Sequence, residues 1–443
     1  MGRLTPWLAP PALAIGLLVA GADSAAAFDG FGDLEADSTY GDAVRFEVGL
    51  RGDTPDRIEL LIRTPGGDGA FVVPVEPSGA TATYVWDTST DYLTPNTLVT
   101  YRWRATDGEA VRQSEEGRIR YEDDRPGLDW QSAQLGEATV HWYGGAEAQA
   151  RRFGDLTAVG VERAEELLGS ELAGPVDVFV YDSQEDFFGA LGPGAREWTG
   201  AAAYSEIRTI FMWLGGGSAE YLEVAMIHEV THIVFHDATD NPFHEPARWL
   251  NEGIATWSET REASGERTIV ESEARDGGLF AFEAITEQVP IGERGGRLSY
   301  AQGTTMVDLI IAAHGPDAIA RMAAAYRDGA SDAEALEAGT GVDADELYAE
   351  YFGAFGVDAP TPIEPEPLAP SNVDRPAVGR VDSGGVDPGA EPGAEPPDEA
   401  APGEEPVGSG SEPVLVGGLA VALGLAGTAA YLMSRRAARR WDA

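Results

Sequence analysis

The residues with the clearest chemical potential stand at 228–232, where the sequence reads His-Glu-Val-Thr-His. Apolar residues recur at helical spacing from about residue 218 to 235, which predicts a helix. Residues four apart lie on one face of a helix, so the imidazoles of His228 and His232 can reach one metal ion. Glu229 lies one step round the helix, close enough to contact a ligand of that ion without binding the ion. The pattern is typical of zinc with a neighbouring general base, and two unconnected surface histidines are the alternative.

A third metal ligand is available at Glu252, 20 residues after His232. It stands in Trp-Leu-Asn-Glu-Gly at 249–253, which begins a second helical pattern that runs to about residue 262. A second helix joined by a loop can turn back over this distance and present its carboxylate. Two histidines and one glutamate leave a fourth position open to water, as in catalytic zinc sites. Because the chain contains no cysteine, any metal must use histidine and carboxylate. We predict one zinc ion per chain.

Together, the stretches 228–232 and 249–253 resemble the gluzincins, the thermolysin and aminopeptidase clan of zinc metallopeptidases, also called peptidase MA-like. The resemblance implies that His228, His232 and Glu252 bind zinc and that Glu229 is the catalytic base. Ser-Tyr-Ala-Gln-Gly at 299–303, predicted to open a helix, is similar to the Tyr-x-x-Gly helix start of the aminopeptidase branch. By that similarity the hydroxyl of Tyr300 stabilises the oxyanion, and a packing tyrosine is the alternative.

The resemblance covers about residues 136–356 and departs from the aminopeptidase branch at one motif. The Gly-x-Met-Glu-Asn substrate strand of that branch has no match in this sequence. Gly-Ala-Ala-Ala-Tyr-Ser-Glu at 200–206 precedes the comparable strand, but Glu206 is out of register. Recognition of a substrate's N-terminal amine is therefore not indicated. The spacing from His232 to Glu252 fits the thermolysin branch at least as well.

Further polar residues near the motif have more than one interpretation. Glu259 stands seven residues after Glu252 on the same helix face, where it could hold a ligand histidine through the other ring nitrogen. A solvated helix carboxylate is the alternative for Glu259. His236 is predicted to end the first helix, because a fourth protein ligand would close the site. The histidines at 141, 244 and 314 are interpreted as structural.

Composition limits the partners that the chain can have. Acidic residues outnumber arginines by 75 to 30 in 443 residues, which gives a formal net charge of -45. A surface of this charge repels nucleic acid, so a nucleic-acid-binding role is excluded. We expect a peptide or protein substrate. The length predicts two folded units with tails.

The patterning between residues 28 and 356 predicts an α+β chain. Alternating segments at 43–50, 57–63 and 99–105, separated by Pro/Gly/Asn turns, predict an immunoglobulin- or fibronectin-like β-sandwich at 28–125. No catalytic cluster is visible there. Strands near 138–143, 176–181 and 208–213, a long helix at 146–168 and a helical half predict a thermolysin- or gluzincin-like peptidase domain at 126–356.

Both ends carry membrane signals. Residues 1–27 match a secretory signal peptide, and an uncleaved anchor is the alternative. Residues 357–412 are rich in Pro, Gly, Glu and Asp, which predicts a disordered acidic linker that acts as a stalk. An apolar span at 413–433 is long enough for one transmembrane helix in a lipid bilayer, and the basic tail 434–443 favours the cytoplasmic side. We therefore expect a single-pass cell-membrane protein with an extracytoplasmic ectodomain.

Three hypotheses follow from these features. The favoured one is a cell-surface zinc metallopeptidase. The second is a catalytically inactive adhesion or binding protein with a peptidase-like fold, suggested by the β-sandwich and the missing substrate strand. The third is a purely structural zinc site, a role to which a site with one carboxylate ligand is poorly suited.

Overall fold

The computed structural model describes residues 28–67, 69–192, 200–243, 245–287, 290 and 293–360. The predicted signal peptide, transmembrane helix and basic tail lie outside the described residues. Of the predicted linker, only residues 357–360 are described, and they form neither helix nor strand. Within the described part of the chain, no helix combines the length and the apolar character needed to cross a membrane.

The N-terminal part of the described chain is built from antiparallel sheets. Its strands are β1 Phe28–Thr39, β2 Ala43–Gly52, β3 Arg57–Arg63, β4 Phe71–Pro74, β5 Thr81–Asp87, β6 Leu98–Asp107, β7 Ala110–Gln113 and β8 Gly117–Arg120. One sheet has the order β1-β2-β5, and the other has the order β4-β3-β6-β7 with β8 also paired to β6. Alternate residues of both sheets, including Phe46, Leu60 and Trp103, share one hydrophobic core. The predicted β region is confirmed, whereas its immunoglobulin- or fibronectin-like type and its boundary at 125 stay predictions.

A mixed sheet follows the N-terminal region. Its elements are β9 Gln131–Leu135, β10 Ala138–Trp142, α1 Glu147–Leu168, β11 Val176–Tyr181, α2 Gln184–Leu191, β12 Ala201–Tyr204 and β13 Thr209–Trp213. The strand order is β12-β13-β11-β10-β9, with parallel pairing among β10, β11 and β13 and antiparallel pairing at both edges. The central strands are apolar almost throughout because both faces are covered. Val178 and Ile210 face the main core with α1 and α3, and Tyr181 and Phe211 pack with α2 residues in a second cluster.

The remainder of the described chain is helical. Its helices are α3 Ala219–Thr239, α4 Arg248–Thr260, α5 Ser264–Asp276, α6 Glu293–His314, α7 Asp317–Arg327, α8 Asp332–Thr340 and α9 Ala344–Ala354, with short 3-10 turns at Ser205–Ile207 and Phe282–Ile285. The α+β class is thereby confirmed, and the predicted helices at 146–168, 218–235 and 249–262 correspond to α1, α3 and α4.

Two predicted helix boundaries are wrong. His236 does not end α3, which continues to Thr239 because Ala238 and Thr239 are buried and the Thr239 hydroxyl donates to the carbonyl oxygen of Phe235. Residues 299–303 do not open a helix, since α6 begins at residue 293. Gly295 lowers helix propensity in the first turns of α6. It packs so closely on Pro290, five residues earlier, that a β-carbon there would lie 3.0 Å from the proline side chain, and this local contact offsets the low helix propensity.

Close approaches at glycine bring the helices of the site together. A β-carbon on Gly160 of α1 would lie 2.3 Å from the side chain of Val230, so α1 packs tightly on α3. On α4, a β-carbon on Gly253 would lie 2.5 Å from the backbone of Gly303 in α6. The absence of side chains at these points lets the backbones approach. Helix α4 is therefore held against α6, with Glu252 and Tyr300 near the contact.

Candidate metal centre

Helices α3 and α4 bring His228, His232 and Glu252 together. The Nε2 atoms of both histidines lie 3.5 Å from Oε2 of Glu252. One ligand atom from each of the three residues lies within 4.8 Å of the other two. Ser218 accepts a hydrogen bond from the backbone N–H of Tyr221 and so caps the start of α3, two and a half turns before His228. The helical spacing predicted from 228–232 is therefore realised, and Glu252 turns back to face both imidazoles.

The chemistry of this cluster fits a cation. Oε2 of Glu252 is buried without a hydrogen-bond partner, a condition that costs free energy unless another group satisfies it. Burial favours the neutral carboxyl, but His232 and His228 outweigh it and hold the pKa of Glu252 well below its ordinary value. Burial likewise opposes charge on His228, yet Glu252 and Glu259 raise the pKa of His228 well above its ordinary value. Two imidazoles and a carboxylate are a donor set that zinc uses, so the residues present fit this metal.

Each imidazole is oriented through its other ring nitrogen. Nδ1 of His228 lies 2.9 Å from Oε1 of Glu259, and Nδ1 of His232 lies 2.8 Å from Oδ1 of Asn251. When each Nδ1 donates its proton to these oxygens and Nε2 is unprotonated, as metal binding requires, the Nε2 lone pairs are directed towards Glu252. The structure thus brings Glu259 to His228, as its spacing suggested. Sequence reasoning missed Asn251, although it stands directly before Glu252 in the same motif.

Arg163 of α1 fixes the end of α4 that carries Glu259. Its Nη1 donates to the carbonyl oxygens of Ser258 and Glu259, at 2.9 and 2.6 Å. These carbonyls belong to the last turn of α4, where backbone acceptors lack helical partners. Sequence reasoning missed this contact as well, because no local signal joins residues about 95 positions apart.

Glu229 and Tyr300 lie beside the three-residue cluster. Glu229 is half-buried on α3, and its negative charge acts on both His228 and Tyr300. The ring of Tyr300 lies nearly parallel to that of His228, with centroids 6.1 Å apart. Burial first, and then the charges of Glu252 and Glu229, raise the pKa of Tyr300 well above its ordinary value. The phenol therefore stays protonated and can act as a hydrogen-bond donor.

The other candidate residues lie apart from this cluster. His141 pairs with Asp177 at 3.0 Å, and His314 lies 3.5 Å from a carboxylate oxygen of Glu350. His236 is in the last turn of α3, and the residue at 244 lies outside the described residues. Glu206 follows the edge strand β12 and packs against Gly66 of the N-terminal region. Among the described residues, the group at 228, 232 and 252 is the one whose His, Asp or Glu ligand atoms converge on a point.

Comparison with known proteins assigns a class to the region that holds this cluster. Residues 157–354 match the family model of the Peptidase MA superfamily, and the match spans every motif residue from His228 to Tyr300. This match confirms the gluzincin-like resemblance read from the motifs. No curated protein sequence matches the chain.

Solved structures give only distant likenesses. An M1 zinc metallopeptidase from Deinococcus radiodurans, bound to a Tyr-Ser-Ala substrate, shares 14% identity at a TM-score of 0.31, over 77% of this chain and 97% of that one. An aminopeptidase N family protein from Idiomarina loihiensis shares 10% identity at a TM-score of 0.38, over 72% of this chain and 74% of that one. At these TM-scores, neither structure bears on the roles of individual residues.

Proposed function

We propose that the chain is a zinc-dependent peptidase that hydrolyses peptide bonds, with one zinc ion held by His228, His232 and Glu252. The observation that carries the proposal is the convergence of two oriented imidazoles on a buried carboxylate oxygen that has no hydrogen-bond partner. The Peptidase MA match over the same residues supports the reaction class. A zinc ion in this position would act as a Lewis acid, which polarises a carbonyl group and makes water more acidic.

The side chains around the cluster divide the remaining chemistry. Glu229, next to a ligand but not among the converging atoms, accepts the proton of the attacking water and returns it to the leaving amine. Tyr300, kept protonated by burial and by neighbouring carboxylates, donates a hydrogen bond to the developing oxyanion. Glu259 and Asn251 hold the two imidazoles in place. The proposed catalytic residues are therefore Glu229 and Tyr300.

We also propose that the peptidase works outside the cytoplasm on a single membrane anchor. Support for this location comes from the sequence: the signal-like residues 1–27, the apolar span 413–433 and the arginines that follow it. When a protease is added to intact cells, we expect it to cleave the ectodomain and to leave the C-terminal tail intact. Cleavage of the tail by a protease added to intact cells would show that the chain has the opposite orientation.

The experiment that tests the activity compares the wild-type chain with Glu229→Gln, which removes the base but leaves the three proposed ligands. Bound zinc and cleavage of a mixed peptide library are measured on the same preparations. We expect one zinc ion per chain in both and cleavage in the wild type alone. Zinc in both without cleavage in either would favour the inactive binding protein, and absence of zinc from both would refute the site.

A further inference from the structure

One face of the N-terminal region has a charge opposite to that of the chain as a whole. Along β3, β6 and β8, the residues that point away from the hydrophobic core include several arginines. We define them as the arginine face: Arg57, Arg63, Arg102, Arg104, Arg118 and Arg120. The chain as a whole carries a net charge of -45, so a cluster of guanidinium groups on one sheet is a local reversal of sign.

Strand register gathers these arginines into one patch. Arg63 of β3 is paired with Thr100 of β6, which is in turn paired with Arg118 of β8. One pairing step along, Leu61 faces Arg102. Directly paired residues point to the same side of an antiparallel sheet, so these side chains share a surface. A depression of about 220 Å³ opens at its centre, lined by Leu61, Arg63, Thr100, Arg102, Gln113 and Glu116.

The carboxylates on this face do not neutralise it. Glu59 is shared by Arg57 and by Arg104, whose Nε lies 2.7 Å from it. Glu116 is shared by Arg102 and Arg118, at 3.3 and 2.9 Å.

The remaining two arginines form no salt bridge among the described residues, although the charge of Arg120 acts on the nearby carboxylate of Asp177. Arg120 donates to two oxygens of Asn96, which are neutral, and Arg63 has no ion pair there. Six guanidinium groups against the carboxylates of Glu59, Glu116 and Asp177 leave about three positive charges at this surface. The guanidinium groups of the arginine face can each donate two parallel hydrogen bonds to a further carboxylate.

An acidic ligand of suitable length is present in the chain itself. Between residues 361 and 412 there are 12 acidic residues and two arginines, and both arginines precede residue 381. The 20 residues from 361 to 380 can span up to roughly 65 Å when extended. A compact body of the size described here is roughly 50 Å across, so this tether is long enough to reach any of its faces.

We propose that the arginine face binds the acidic stretch 381–412 of the same chain. A tethered segment has an effective concentration in the millimolar range, whereas a separate polyanion must approach a chain of net charge -45 against repulsion. Pairing of this kind weakens as salt screens the charges. The acidic stretch should therefore contact the arginine face at low ionic strength and dissociate from it at high ionic strength. This proposal is independent of the peptidase activity.

The test uses the full chain, whose lack of cysteine allows two unique spin labels. Labels are attached through Gln113→Cys at the edge of the depression and Ala394→Cys in the acidic stretch, and the distance between them is measured by pulsed electron resonance. We expect short distances to dominate at low salt. They should become a minor population at 0.5 M salt, where the screening length is only about 4 Å.

A pair of matched triple variants separates the arginine face from total charge. Arg63→Gln, Arg102→Gln and Arg118→Gln together should abolish the short distances at low salt. The control changes Arg151, Arg261 and Arg294 to Gln, which removes the same charge from ion pairs elsewhere, and it should behave as wild type. Circular dichroism of both variants verifies their fold. Long distances in the wild type at low salt, or short ones that persist without the three face arginines, would overturn the proposal.

Discussion

Two histidine–carboxylate pairs in this molecule have nearly the same geometry but different surroundings. In the mixed sheet, Nε2 of His141 lies 3.0 Å from Oδ1 of Asp177, and the imidazole stacks on Phe179 with centroids 4.2 Å apart. Between α3 and α4, Nδ1 of His228 lies 2.9 Å from Oε1 of Glu259. Distance and partner chemistry alone therefore do not distinguish the two pairs.

The difference lies in what the remaining polar atoms face. The second oxygen of Asp177 accepts a hydrogen bond from Nδ2 of Asn96, which also donates to the hydroxyl of Thr209. These contacts join the N-terminal sheets to the mixed sheet, and we call this group the sheet joint. At His228, by contrast, Nε2 points towards a carboxylate oxygen that has no hydrogen-bond partner. A satisfied pair is a structural contact, whereas a pair that leaves converging ligand atoms is a candidate for metal binding.

After the loss of cleavage expected for Glu229→Gln, the largest effect on chemistry is expected at Tyr300. Tyr300→Phe removes the proposed oxyanion donor, and loss of one such donor lowers kcat by about 10²–10³-fold. We expect KM and zinc content to change little. Steady-state kinetics on a peptide substrate measure this. Tyr351→Phe is the matched control. It removes a buried hydroxyl of α9 that contacts Thr305, which lies on α6 as Tyr300 does. Activity within twofold of wild type for Tyr300→Phe would assign that tyrosine to packing.

Orientation of the imidazoles should matter next. Glu259→Ala and Asn251→Ala each leave one imidazole without its Nδ1 partner, and such losses typically weaken metal affinity by about 10- to 100-fold. Competition with a chelator measures the affinity. Glu262→Ala, which changes an exposed glutamate just beyond α4, should leave it unaltered. Equal affinities for all three variants would show that these contacts are incidental.

The sheet joint should affect stability and not metal. Asn96→Ala removes the hydrogen bonds donated to Asp177 and Thr209. We expect this loss to lower the free energy of unfolding by about 2–3 kcal/mol. Zinc affinity should stay at the wild-type value. Asn96 has a φ of 71°, so Asn96→Gly serves as the variant that loses the side chain without the left-handed backbone penalty. A change in zinc affinity for either variant would break the separation between the two regions.

A smaller effect concerns pH. Burial disfavours the charged form of Asp177, but hydrogen bonds from His141 and Asn96 outweigh it and lower the pKa of Asp177 below its ordinary value. The stabilisation is therefore present above the unfolded-state pKa and is lost as pH falls through the folded-state value. In metal-free protein, the stability difference between wild type and Asp177→Asn should shrink on acidification from neutral pH to pH 3. A difference that grows instead would contradict the lowered pKa.

The sequence predicted those parts of the site that depend on local pattern. Helices α3 and α4 were predicted because apolar spacing acts within a few residues, and the helical spacing brought both histidines to one face. Contacts that depend on packing between distant helices were not predictable. Arg163 reaches the end of α4 from α1, about 95 positions away. The arginine face needs the register of β3, β6 and β8, which the alternation within each strand does not fix.

We propose that the His228 pair belongs to a metal site, whereas the His141 pair does not. The most direct test is a zinc titration of metal-free wild type, His228→Ala and His141→Ala, read as zinc ions bound per chain in competition with a chelator. We expect one tightly bound ion in the wild type and in His141→Ala, and a severe loss of affinity in His228→Ala. Equal tight binding by all three chains would contradict it.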